Sequence, residues 1–302
     1  MNKRTIRVKT NVTLYLLLAP TILSLFVFNY IPMYGVIISF QDYSIYRGIT
    51  GSDWVGLKHF LYFFNDSKFW SVMRNTLILN FYDLVFGFTS PIIFALLANE
   101  ILKNRMKRIV QTISYMPHFL SWIVVAGLAH QMLSPTDGLI NLLLQSVFGM
   151  DPVYFMAERG MFRTIAVLTE IWKSVGWSAI LYFAIIAGVD SSLYEAASID
   201  GANRFRQALH ITLPAMVPMI TLLLLLQLAN MFGIGFERVF MLQNPLVYDV
   251  SEVISTYIYR IGLERSQYSL TTAIGLMQSL LAFVLLITSN RLSKKLTGMG
   301  LY

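Results

Sequence analysis

Cysteine is absent from the 302 residues, which excludes disulfides, thiolate chemistry and cysteine-ligated metals. Charge is scarce. Only 13% of residues are Asp, Glu, Lys or Arg, where a soluble domain carries about 25%. Histidine is sparse too, and His59, His118, His130 and His210 show no metal-ligand spacing. No metal site and no catalytic residue is expected, because no serine, histidine and acid set is convincingly placed. The chain has no G-x-x-x-x-G-K-S/T phosphate loop, so ATP hydrolysis is not expected on it. Nor does any nucleic-acid-binding module accompany the net charge of +7.

What is there is apolar. Hydrophobic residues make up 56% of the chain and the mean hydropathy is +0.61. Apolar runs fall near 11–40, 72–99, 109–133, 162–189, 213–235 and 271–290, each about 20 residues or more, the length a helix needs to cross a bilayer. The expected architecture is an all-α membrane protein of about six transmembrane helices in a single domain over residues 1–302. Pro20 and Pro32 are expected to kink or end parts of the first run. The basic start resembles a signal peptide, but the apolar run is too long and no small-residue cleavage site follows. A retained first helix is expected.

Basic residues set the orientation. The N-terminus, the 100–108 loop, the 190–212 loop and the C-terminus are short and carry Lys3, Arg4, Arg7, Lys9, the Lys103–Arg108 cluster, Arg204, Arg206, Arg291, Lys294 and Lys295. The positive-inside rule places these segments, and both termini, on the cytoplasmic side of a cell membrane. The outer segments, about 41–71, 134–161 and 236–270, contain Trp54, Trp70, Tyr154 and Tyr257, which suit an interface or docking surface. Residues 250–263 could form a short amphipathic helix there.

The 190–212 segment predicts a helix-turn-helix. Ser192 with Glu195 fits a capping box, Gly201 permits a sharp bend, and a second helix from about Asn203 runs into the fifth span. Pro214 falls near that span's first turn, where proline is tolerated. Ala196, Ala197, Gly201 and Ala202 form a small-residue face for close approach by a partner, with Glu195 and Asp200 offering charge.

The residues Glu195-Ala196-Ala197, Gly201, Ile211, Leu213 and Pro214 follow a pattern that resembles the EAA loop of type I, maltose-permease-like, binding-protein-dependent ABC importer permeases. The resemblance covers nearly the whole chain. It implies that Glu195, Ala196, Ala197, Asp200, Gly201 and Ala202 form a coupling helix seated in an ATP-binding-cassette ATPase subunit, which would hold the ATP and Mg. It also implies a second, homologous permease, most simply in a heterodimer, and a solute-binding protein on the outer face. A homodimer remains open from the residues alone. The stretches Asn244–Asp249, Ser251–Tyr259 and Tyr268–Leu276 resemble the branch that handles complex oligosaccharides such as aldouronates. That implies a carbohydrate substrate, with acidic oligosaccharides included.

Ionisable residues in spanning helices are functional candidates. Glu170 and Lys173 lie three apart and could pair. Glu170, Ser174 and Trp177 share one helical stripe, with Trp172 facing elsewhere. Gln227 and Asn230 lie on the fifth span. These six, Glu170, Lys173, Ser174, Trp177, Gln227 and Asn230, are the substrate-binding candidates: hydrogen-bonding groups around an aromatic platform for a pyranose ring. The alternative is interhelical glue. Lys173 could bind an acidic sugar or simply neutralise Glu170. Asp83 with Asn80 is a similar, lesser case, while Tyr82 and His118 read as packing and structural. The rival functions are an ion-coupled secondary transporter of a polar solute, which leaves the EAA pattern unexplained, and an intramembrane enzyme, for which no cluster of acids, histidines or arginines is seen.

Overall fold

The computed structural model describes residues 3–231, 235–298 and 300. In chain order its helices are α1 (Lys3–Leu25), α2 (Gly48–Gly51), α3 (Lys58–Asn65), α4 (Ser67–Tyr82), α5 (Thr89–Asn99), α6 (Asn104–Tyr115), α7 (Trp122–Met132) and α8 (Leu139–Phe148). There follow α9 (Arg159–Ala187), α10 (Ser191–Ile199), α11 (Arg204–Gln207), α12 (Leu213–Ala229), α13 (Phe236–Leu242), α14 (Tyr248–Ser251), α15 (Ile254–Tyr259) and α16 (Tyr268–Thr297). The all-α expectation is met; beside the helices lies a short antiparallel pair, β1 (Gln41–Asp42) with β2 (Asp53–Trp54).

Among the described residues, five helical stretches are long and apolar enough to cross a membrane: Leu14–Phe40, Ser67–Asn99, Arg159–Ala187, Arg204–Ala229 and Tyr268–Lys295. Asn104–Phe119 and Trp122–Met132 pass the same test only together, as a pair bent by 102°, which makes six when the pair is counted as one span. The expected third span is therefore broken. Pro117 and the N-cap Ser121, whose side chain accepts from Val124 N at 3.4 Å, account for the break. The helix of the first span runs on through Pro20, changes to a π-helical turn at Phe26–Tyr30, and ends as a 3-10 helix at Phe40. The fifth span begins earlier than expected, at Arg204, and its helix stops at Ala229. The expected end at 235 takes in residues 232–234, which lie outside the described residues. Pro214 consequently sits well inside a continuous helix. A π-helical turn at Ala208–Thr212 precedes it and relieves the clash that its ring would make with the preceding turn.

Contacts divide the chain into two compact units, Met1–Asp66 with Arg260–Met277, and Ser67–Tyr259 with Gln278–Tyr302. In the first unit, Gln41 Nε2 donates to Ile49 O at 2.9 Å and Tyr43 N donates to Ser269 Oγ at 2.9 Å. From Leu14 to Leu25 the apolar residues of α1 are exposed, Leu16 and Leu17 among them, as suits a helix solvated by lipid.

In the second unit α9 is the central helix. One cluster packs Ala95, Ala179, Tyr182, Ile186 and Met216, joining α5, α9 and α12. Another packs Leu79, Phe162, Ala166, Val239, Leu242 and Val247. Gly176 makes the crossing of α6 and α9 possible, since a Cβ there would collide with the Ser114 carbonyl oxygen. The expected amphipathic helix at 250–263 is instead broken at 252–253, and Ile254, Thr256, Tyr257 and Ile261 are buried. Asn75 explains part of this: its Nδ2 donates to the carbonyls of Asp249 at 2.9 Å and Glu252 at 3.2 Å. Thr76 Oγ1 accepts from Ile254 N at 2.9 Å. Of the four outer aromatics expected at an interface, Trp54, Trp70 and Tyr154 are exposed and Tyr257 is not.

Candidate functional site: an intramembrane cavity and a surface helix-turn-helix

Within the second unit, α9 and α12 and the span containing Asp83 line a half-open cavity of about 730 Å³. Five of the six predicted candidates line it: Glu170, Ser174 and Trp177 from α9, Gln227 from α12, and Asn230 from that helix's C-terminal cap. Periodicity explains the set. Positions i, i+4 and i+7 of one helix stack on a single face. Asp83, Trp122, Ser178 and Tyr182 line the same space. Trp172 does not, as expected from its position off the stripe.

Lys173 is the exception. It is buried, does not line the cavity and makes no pair with Glu170. Its Nζ donates to His118 O at 2.7 Å and stands 5.7 Å from the Trp122 ring centroid. The break in the third span leaves helix-end carbonyls without intrahelical donors. An ammonium group at such an end satisfies one and faces the negative pole of the helix dipole. The expectation that Lys173 binds substrate or neutralises Glu170 is therefore replaced by a structural role. His118 lies ring-on-ring against Trp177, with centroids 4.5 Å apart and an interplanar angle of 1°, so one face of the indole is already covered.

Glu170 has other partners. Its Oε1 accepts from Ser174 Oγ at 2.8 Å, and its Oε2 accepts from Arg238 Nη1 at 3.4 Å. Arg238 makes its main contact with Asp83, through Nη1 at 3.0 Å and Nη2 at 2.6 Å. This two-pronged pair is sealed: the Arg238 and Asp83 side chains are 1% and 6% exposed, while Glu170 keeps 31%. A planar guanidinium matches a carboxylate in this geometry, and the extra donors offset the cost of burying both charges. Asp83 begins a π-helical turn, Asp83–Gly87, in the second span. Asn80 does not join it, and instead donates to Thr76 O at 2.7 Å. Tyr82 packs against the apolar cluster as expected.

Sequence reasoning missed Arg238. It sits in a stretch read as an outer segment, 155 positions from its partner. The available signal was an unmatched Asp83 in a spanning helix, which calls for a cation somewhere in the fold.

The second feature is on the surface. α10 is capped by Asp190, whose carboxylate accepts from Ser192 N at 2.9 Å. That hydrogen bond, from the backbone N–H first, holds the Asp190 carboxyl below its ordinary pKa. The cap is thus Asp190, and the expected Ser192–Glu195 capping box does not form. The bend does form as expected, with Gly201 at φ +78°. Ala202 N donates to Ala197 O at 2.8 Å and Gly201 N to Ser198 O at 3.1 Å, the paired bonds of a left-handed glycine stop. Asn203 then caps α11, accepting from Arg206 N at 2.9 Å.

Three contacts hold this helix-turn-helix together and to the spans. Gln207 Nε2 bridges to Ser198 Oγ at 2.9 Å and Ala202 O at 3.1 Å. The Tyr194 and Thr212 hydroxyls are 2.9 Å apart, and Arg204 pairs with Glu100 at 3.6 Å. Glu195, Ala196, Asp200 and Gly201 are exposed, and Ala197 and Ala202 are partly so. Exposed beside them are Leu193, Ile199 and Phe205, apolar residues that the sequence reading did not single out.

The family model for the binding-protein-dependent transport system inner membrane component matches residues 87–298. Among curated relatives, the polygalacturonan/rhamnogalacturonan transport system permease protein YteP of Bacillus subtilis (strain 168) is 42% identical, over 96% of this chain and 90% of its own. Protein LplB of the same organism is also 42% identical, over 96% and 91%. Among solved structures, a chain of a bacterial alginate ABC transporter, in complex with an alginate pentasaccharide-bound periplasmic protein, superposes with a TM-score of 0.90. It is 38% identical, and the match covers 98% of each chain.

Proposed function

The chain belongs to the family of binding-protein-dependent transport system inner membrane components, and we propose that it forms one half of the passage of an ATP-driven oligosaccharide importer. One observation carries this reading: the cavity and the helix-turn-helix share the same two helices. α9 supplies Glu170, Ser174 and Trp177 to the wall and ends at Ala187, just before α10. The helix that leaves the bend at Arg204 continues to Ala229 and supplies Gln227, with Asn230 as its cap residue.

In this reading the saccharide occupies the cavity, whose volume lies within the roughly 300–1,000 Å³ typical of ligand sites. Trp177 offers the ring face left free by His118, and Glu170, Ser174, Gln227 and Asn230 hydrogen-bond hydroxyls. Glu195, Ala196, Ala197, Asp200, Gly201 and Ala202, with Leu193, Ile199 and Phe205, dock onto an ATPase subunit that holds the ATP and Mg. Closure of that subunit would move the helix-turn-helix as one piece through its ties at Tyr194, Arg204 and Gln207 and tilt α9 and α12. A second, homologous permease completes the passage as a heterodimer, and a solute-binding protein delivers the sugar. The helix-turn-helix and both termini lie on the cytoplasmic side, as the short basic segments require. The names of the similar proteins support a saccharide, with polygalacturonan/rhamnogalacturonan and the acidic polysaccharide alginate among them.

The ion-coupled alternative drew on Glu170, Lys173 and Asp83. Each of these has a protein partner, which weakens that reading. The test is co-purification of the tagged chain from its own membrane in mild detergent, followed by mass spectrometry. An ATPase bearing a phosphate loop, together with a second permease, is the expected result. A lone chain or a homodimer without ATPase contradicts the proposal.

A further inference from the structure

The charge of the cavity wall leads further, on the reading that this cavity is the saccharide passage. Among the described residues that line it, none is lysine, arginine or histidine, and two are carboxylates, Asp83 and Glu170. The nearby cations are not available to a ligand. Lys173 is turned to the His118 carbonyl. Arg238 is 1% exposed and gripped by Asp83. One guanidinium thus serves two carboxylates, and its bond to Glu170 is the longer, at 3.4 Å against 2.6 Å to Asp83. Glu170 is also the acid that keeps partial exposure.

A carboxylate only accepts hydrogen bonds, and its two oxygens offer about four sites. Here one oxygen accepts from Ser174 and the other from Arg238. Lone pairs remain for sugar hydroxyls, which would bind with charge assistance. A uronate carboxylate at the same place has no proton to give and meets a like charge.

We propose that this chain's wall reads a saccharide by its hydroxyl edge and turns its carboxylates away, with Glu170 as the residue that sets this discrimination. The charge of an acidic saccharide is then met outside this wall. The assignment names the chemistry of the contact: hydroxyl donors to Glu170, with Ser174, Gln227 and Asn230 beside it.

The test uses the complete transporter, reconstituted with its own partners, and ATP-driven uptake of two probes: trigalacturonate and its methyl ester. The same solute-binding protein serves every preparation, so its preference cancels when ratios are compared. Glu170→Gln keeps an acceptor for Arg238 and removes the charge. It is expected to raise the acid-to-ester uptake ratio about three- to tenfold, the effect of removing one charge a few ångströms away in a partly hydrated site. Gln227→Lys adds a cation to the same wall, leaves the Glu170–Arg238 contact intact, and is expected to move the ratio the same way. If Glu170→Gln fails to assemble, Gln227→Lys decides. A ratio that stays level or falls, with uptake of both probes intact, overturns the discrimination and leaves the importer reading standing. No ATP-dependent uptake of either probe by the unaltered protein overturns both.

Discussion

The helix-turn-helix at 190–212 and the cavity wall are two stations on the same pair of helices, held by opposite means. The helix-turn-helix is exposed and held mainly by neighbours: Asp190 on Ser192, Gly201 on Ser198, Gln207 on Ser198. Such a bond contributes about 1 kcal/mol in net terms. The wall depends on a sealed charge pair whose members are 155 positions apart. The difference teaches which station tolerates the loss of one contact and which does not. A surface element built from weak local bonds can adjust to a partner, whereas a buried ion pair that loses one member leaves an uncompensated charge.

The largest expected effect comes from breaking the sealed pair. Arg238→Met strands Asp83 and Glu170 and is expected to cost about 3–5 kcal/mol. Thermal unfolding of the purified complex reads this directly. Combining it with Asp83→Asn is expected to recover part of the loss, because the buried charge is then gone. A double variant no more stable than the single one would place the defect elsewhere.

Next is the bend. Gly201→Val forces a β-branched residue to φ +78°, at a cost of about 1–2 kcal/mol. The expected outcome is normal unfolding of the spans with ATP hydrolysis no longer stimulated by substrate. Retained stimulation would show that the bend is not what couples the two stations.

Smaller again is Tyr194→Phe, which removes the hydroxyl contact to the buried Thr212. About 1 kcal/mol is at stake, and the sugar transported per ATP hydrolysed should fall while hydrolysis itself persists. The smallest effect is a pH response of α10. The folded Asp190 carboxyl titrates below its unfolded value, so its capping contribution is complete above the unfolded pKa. It is lost as pH falls through the folded pKa. As pH is lowered, substrate-stimulated hydrolysis should therefore decline more steeply in the parent chain than in Asp190→Asn, whose cap does not titrate.

The same contrast explains what could be read from the sequence. The helix-turn-helix was legible because its determinants are close together: a glycine that permits the bend, after an alanine-rich turn and before a second helical run. Even there the start was misplaced, since Asp190 and Ser192 both make acceptable caps and nothing local chooses between them. The wall's one-helix pattern was legible too, because Glu170, Ser174 and Trp177 follow from helical period alone. The partners of Glu170 and Lys173 were not. Their spacing suggests an ion pair, but each finds a better one: Arg238 for the acid, and the carbonyl freed by the broken third span for the amine. That break was itself foreshadowed by Pro117 and Ser121. The burial of 250–263 depends on Asn75 and Thr76, far earlier in the chain, and no local pattern announces it.

The most direct test of the account is saccharide uptake by the reconstituted transporter with ATP supplied, measured with vanadate and, separately, with an uncoupler. The account predicts that vanadate abolishes uptake and the uncoupler leaves it unchanged. Uptake that survives vanadate and collapses with the uncoupler would contradict it, and would move the driving force from the helix-turn-helix to the charges in the membrane.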